Sequence, residues 1–202
     1  EKAKSNLKTL EGDTYKELGD HVYKTIHEAK KNHDAEACFI FAAANAHSEL
    51  VIESLELGMN TFCVKVIACN QKEFKNIIKV HKKNPQLMLL QGYNNQWNEA
   101  ATKMRELIQS ENGIGKMIGG ECICWGRQNL TTDPPQTDVT TEGMFFNALA
   151  CHQLSQLVAA KGLPEFVTAY VHDRKEPDLD FKGVWGTAGG QCIFEYANGV
   201  PF

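Results

Sequence analysis

Ala37-Cys38-Phe39-Ile40-Phe41-Ala42-Ala43 is an apolar run that no polar residue interrupts. A strand with one wet face alternates polar and apolar side chains; an unbroken run is the pattern of a parallel strand covered on both faces. Two shorter runs follow, Asn60-Thr61-Phe62-Cys63-Val64 and Gln86 to Gln91, and helix signals fill the intervals. After a loop at Ala44-Asn45-Ala46, the first interval predicts a helix from about His47 to Leu57, stopped by Gly58 in the position where glycine ends helices. The second begins at Asn70, an N-cap with Glu73 as its acidic partner three residues later, and reaches about Lys83. Strands joined by helices of this length take right-handed crossovers and build an α/β fold with a parallel, doubly wound sheet. Two more helices are expected, from about Thr14 to Lys31 on the repeat of Leu18, Val22 and Ile26, and from about Trp97 to Gln109.

Beyond the turn at Asn112-Gly113-Ile114-Gly115 the texture changes. A long strand is expected over Met117–Arg127, a helix over Glu142–Ala160, and strands near Phe166–His172 and Gly190–Tyr196. Long strands with one crossing helix predict an open, largely antiparallel sheet. The chain of 202 residues has room for two small domains. These are expected as 1–116, a parallel-sheet domain, and 117–202, an α+β domain.

Composition narrows the partners. Net charge is −4, from 21 basic and 25 acidic residues, and the lysines of the 70–83 helix read as a solvated face. No basic footprint for nucleic acid is present, and no apolar run is long enough to cross a bilayer. Glu1-Lys2-Ala3-Lys4 opens without the apolar segment of a signal peptide. The seven cysteines form no Cys-x-x-Cys and mostly sit in apolar runs, the pattern of buried free thiols in a reducing, cytoplasmic protein. Cys122 and Cys124 alone are too few for zinc, and no metal site is expected. Met88, Met117, Met144, Trp97, Trp125 and Trp185 read as packing residues.

Three polar residues lie where chemistry is done. In parallel sheets, ligands gather at the carboxyl ends of strands, beside helix N-termini. Asn45 and His47 follow the first run and are candidate ligand contacts or simply helix-capping residues. Lys65, in Phe62-Cys63-Val64-Lys65-Val66-Ile67, would lose solvation at the end of a buried strand, which suits proton transfer or polarising a substrate oxygen; the bland alternative is a loop lysine reaching water. His152, on a helix with Leu149, Leu154 and Leu157, is either a core histidine or a general acid or base. Asn147 and Ser155, about a turn to either side, are placed to orient it. Gly113-Ile114-Gly115 follows a helix and precedes a strand, the reverse of a phosphate-binding glycine loop, and is a turn.

Taken in order, these blocks resemble the glucose-fructose oxidoreductase, inositol dehydrogenase and MocA family. The family's strand, small-residue loop and histidine correspond to Phe39 through His47. Its helix closing in glycine corresponds to Leu55-Glu56-Leu57-Gly58, and its Glu-Lys-Pro to Val64-Lys65-Val66. The later His152-Gln153-Leu154, with Gly162, Pro164 and Val167, and the closing Phe194-Glu195-Tyr196-Ala197-Asn198-Gly199 also resemble it. The resemblance runs over residues 14 to 202. It implies a Rossmann-like domain binding NAD or NADP, here incomplete at its N-terminus because the family's first strand, glycine loop and first helix have no counterpart. It also implies a second domain that supports the substrate site and oligomer contacts.

By the same resemblance, Lys65 contacts nicotinamide and substrate, His152 relays the proton, and Ala43, Ala44, Asn45 and His47 border the cofactor. Val64 and Val66 depart from the family's Glu and Pro. Ala148 departs from an Asp or Asn, for which the adjacent Asn147 is the expected substitute. The function implied is hydride transfer between NAD(P) and a sugar, cyclitol or similar polyol, in a homo-oligomer associated through the open sheet. The departures keep open a non-catalytic, ligand-sensing or scaffold relative.

Overall fold

A computed structural model describes residues 21–110, 113–115, 119–123, 150–173 and 187–197. The chain runs α1 (Ile26–Asn32), β1 (Ala37–Ile40), α2 (Ala44–Glu56), β2 (Asn60–Val64), α3 (Gln71–Lys83) and β3 (Leu89–Gly92). A 3₁₀ turn (Asn94–Trp97), α4 (Glu99–Gln109), α5 (Cys151–Lys161), β4 (Phe166–Asp173) and β5 (Thr187–Glu195) follow. β1, β2 and β3 form a parallel sheet in that order, and β4 and β5 pair antiparallel. The α/β architecture expected from the sequence is the one observed.

Caps decide where the helices begin. Asn70 and Asn98 are extended, and their side chains accept from the backbone N–H groups of Glu73 and Ala101. The expected helix over 14–31 is corrected at its start: within the described residues it begins at Ile26. The cause is Thr25, whose extended backbone and hydroxyl cap the N–H of Glu28, while the carboxylate of Glu28 takes the N–H of Lys24. That local pairing outweighs the spacing of Val22 and Ile26. α2 opens at Ala44 rather than His47, because β1 ends at Ile40 and the alanines that follow are good helix formers. Gly58 closes α2 with φ of 76°, a left-handed conformation that costs glycine nothing.

The core lies between the sheet and the helices α2 and α3. Ile40, Cys63, Val51, Leu55, Ile67 and Ile77 are buried there, and burial pushes the Cys63 thiol up to about 12, with Cys38 adding to the effect. A polar pair crosses this layer: Thr61 donates to the Met59 carbonyl, so Ser54 donates to the Thr61 hydroxyl at 2.8 Å, and both hydroxyls are satisfied.

The other face of the sheet is different. Phe39, Phe62 and Leu90 stand in register across the three strands, and Phe39 and Phe41 are 67% and 73% exposed. The expectation of a strand covered on both faces is therefore corrected for the described residues, which cover one.

Other expectations also change. Gly119–Ile123, inside the expected strand over 117–127, is not in a strand. Met88 and Trp97 are exposed rather than packed, with the Arg105 guanidinium 5.9 Å from the Trp97 ring. Cys122 is exposed, unlike the other described cysteines. Asn147, Ala148, Trp125, Trp185, Met117, Met144 and Cys124 lie outside the described residues.

Candidate active site at the strand ends

The sheet brings the carboxyl ends of β1, β2 and β3 to one edge, and α5 is packed over it. α5 touches the 3₁₀ turn after β3, and the Gln109 amide of α4 donates to the Ala159 carbonyl. At the far end of α5, Gly162 ends the helix and its carbonyl accepts from the Tyr196 hydroxyl, which pins the exit of β5.

Lys65 is the first residue past β2, half-buried, and the peptide bond to Val66 is cis. His152 lies in the first turn of α5, also half-buried. The two are far apart in sequence and interact electrostatically here: the His152 imidazole is held below its ordinary range first by burial and then by the positive charge of Lys65. Its Nδ1 is buried without a hydrogen-bond partner. Ser155, one of the two residues expected to orient the ring, instead donates to the His152 backbone carbonyl at 2.7 Å. A neutral imidazole beside an ammonium is chemically a base next to an electrostatic stabiliser of developing oxyanion charge.

His47, in the first turn of α2, is buried. It is 1% exposed, with Nδ1 at 2.6 Å from the Val66 carbonyl and Nε2 at 2.9 Å from the Ala42 carbonyl. The ring thus ties the loop leaving β1 to the loop leaving β2, directly behind Lys65. Ala43, Ala44 and Asn45 form the start of α2. Ala43 occupies the N-cap without a side-chain hydrogen bond, and the first turn carries no acidic residue. α2 thereby presents the positive end of a helix at a strand terminus with no side chain to neutralise it.

A cleft of about 850 Å³ opens between the 66–71 loop, the end of β3 and α5; its lining includes Val66 and Cys151, the neighbours of Lys65 and His152, but neither of those two residues. Its polar lining includes Asn70, Gln91, Tyr93, Gln96 and Ser155, and none of its lining residues is charged. Burial first, and Cys151 second, raise the Tyr93 phenol, while a 3.0 Å hydrogen bond from Gln91 opposes them. Tyr93 keeps its proton and can donate it. Gln91, Tyr93 and Gln96 were not singled out from the sequence, although they lie at or just past a strand end, as His47 does. Among the described residues no three His, Cys, Asp or Glu side chains are placed to hold a metal.

No family model matches the chain. It is 31% identical over 98 residues to the myo-inositol 2-dehydrogenase of Thermotoga maritima, which is 48% of this chain and 28% of that relative. The myo-inositol 2-dehydrogenase structure from Lactobacillus plantarum superposes with a TM-score of 0.71 at 18% identity, over 94% of this chain and 57% of that one. An NAD-binding protein from Listeria innocua superposes at 0.65 with 15% identity, over 95% and 55%. The two solved structures share the fold of this chain, and this chain spans only part of the length of all three proteins.

Proposed function

Because the chain belongs to the glucose-fructose oxidoreductase, inositol dehydrogenase and MocA family, we propose that the complete protein is an NAD(P)-dependent oxidoreductase. It moves a hydride between nicotinamide and a hydroxyl-bearing carbon of a cyclitol, sugar or similar polyol. The observation that supports this reading is the electrostatic influence of Lys65, just past β2, on a His152 imidazole whose pKa burial also lowers.

In this mechanism His152 takes the hydroxyl proton through Nε2, and its low pKa keeps it unprotonated for that task at neutral pH. Lys65 places its positive charge where the substrate oxygen gains negative charge. His47 holds the Val66 carbonyl, next to Lys65, and the Ala42 carbonyl after β1, and so fixes where that ammonium starts. The uncapped start of α2 at Ala43, Ala44 and Asn45 fits an anionic dinucleotide, whose nicotinamide supplies the hydride acceptor when bound. Asn147 completes the proposal as the residue that orients His152. The cleft is lined mostly by apolar side chains with a few uncharged polar groups among them, which suits a neutral substrate rather than a phosphorylated one.

The test is turnover of the full-length protein with NAD or NADP on a cyclitol and sugar panel. Lys65→Met and His152→Ala should each lower kcat/KM by about 100-fold or more; near-wild-type rates in both would overturn the assignment. The replacement of Glu and Pro by Val64 and Val66 favours a second reading, a ligand-sensing relative, for which cofactor binding without turnover on any panel member is the signature. Self-association belongs to the same proposal. Phe166, Tyr170 and Ile193 project from one face of the β4–β5 sheet and are exposed, so light scattering should give a dimer or larger.

A further inference from the structure

α1 has seven residues and buries none of them. A helix that short does not hold its shape alone in water; besides the contact of His27 with Glu53, support comes at its ends. His21 and Tyr23, before the helix, fold back onto His33, the residue that closes it. Nδ1 of His21 is 3.1 Å from Nε2 of His33, and the Tyr23 hydroxyl is 2.7 Å from the same nitrogen. Both rings stand edge-on to the His33 imidazole, with centroids 4.7 and 5.4 Å away.

One ring nitrogen thus faces two polar partners. Protonated, Nε2 has a single N–H to give; bare, it has a single lone pair to offer. Neither state serves both neighbours fully. A divalent cation at the centre of the three atoms would, accepting one lone pair from each. Tetrahedral zinc bonds of about 2.0–2.1 Å set neighbouring donor atoms about 3.3 Å apart; the His21–His33 pair is within a few tenths of an ångström of that spacing, and the Tyr23 hydroxyl, at 2.7 Å from His33, moves outward as it coordinates.

We propose that His21, Tyr23 and His33 form a surface site for a zinc-class transition-metal dication, completed by water, that staples the two ends of α1. Two imidazoles and a phenol select such metals over magnesium or calcium, which prefer carboxylate and carbonyl oxygen. The phenol supplies the third ligand, giving its proton to solvent as it coordinates. Helix formation and metal binding are then one linked event, because the site exists only when the segments before and after α1 lie together.

The full-length protein, stripped of metal by a chelator, is titrated with zinc chloride in a calorimeter and followed by thermal unfolding. We expect zinc to bind and raise Tm, and magnesium chloride to do neither. His33→Ala and His21→Ala should each weaken zinc binding about tenfold or more, and Tyr23→Phe, which keeps the ring packing, by a smaller factor. His27→Ala, whose ring engages Glu53 instead, should leave the affinity unchanged. Cobalt(II) gives a readout independent of stability: intense tetrahedral ligand-field bands in the wild type, lost in His21→Ala. Equal zinc affinity in the wild type, His21→Ala and His33→Ala overturns the proposal, as does a wild-type protein with no response to zinc.

Discussion

Two causes act on His152, burial first and the Lys65 ammonium second, and substitution separates them. Lys65→Met removes the charge and leaves the burial, so the imidazole pKa should rise part of the way toward its ordinary 6.5. NMR titration of the ring reads this directly; an unmoved pKa would mean that the two groups do not meet. The lowered value also couples to stability. Above pH 6.5 the ring is neutral folded or unfolded and contributes nothing. As pH falls through 6.5 toward the folded value, the unfolded chain binds the proton more readily and stability drops. Lys65→Met should weaken that acid sensitivity. Lys65 and His152 could be singled out in the sequence as a charge at a strand end and a histidine on an apolar helix, but neither pattern says that they meet. The partners of His47 were not legible for a related reason: both are backbone carbonyls, which leave no mark in the residue order.

Among the helices, the beginnings carry the functional contrast. α3 and α4 start under asparagine caps, whereas α2 starts under Ala43 with its first turn uncapped and free of acidic residues. Ala43→Asp should therefore act in two directions. It supplies the missing cap and stabilises the protein by about 0.5–2 kcal/mol in urea unfolding, and it sets a carboxylate where an anionic cofactor is proposed to sit. Cofactor affinity in the full-length protein should fall while stability rises; a parallel rise in both would remove the start of α2 from the binding site. The elements themselves were legible because caps and apolar runs are local signals: β2, α3 and the Gly58 stop stand where the residues place them. α1 was misplaced because its periodicity and its cap disagreed, and the cap prevailed. The cleft residues Gln91, Tyr93 and Gln96 escaped notice because amides and a tyrosine after a strand look like ordinary loop.

For the molecule as a whole, the sheet has one covered face and, among the described residues, one that is not. The unbroken apolar run of β1 was legible as a demand for cover on both faces, yet a sequence run does not say what supplies the cover. Phe39, Phe41 and Leu90 are consequently exposed on the open face, a larger apolar surface than scattered single residues make. The 202-residue chain on its own should bind a hydrophobic dye and self-associate with rising concentration. Phe39→Thr with Phe41→Ser should reduce both, measured by dye fluorescence and sedimentation; unchanged behaviour would place the sticky surface elsewhere.

The separation of Lys65 and His152 along the chain has a kinetic meaning as well. Each sits in a segment that forms by local contacts, the β1–α2–β2 unit and α5, whereas their meeting closes a loop of more than eighty residues, with an entropic cost that rises with the logarithm of its length. During refolding, helical signal should return first and the lowered His152 pKa last, so the protein would regain its shape before it regained its chemistry.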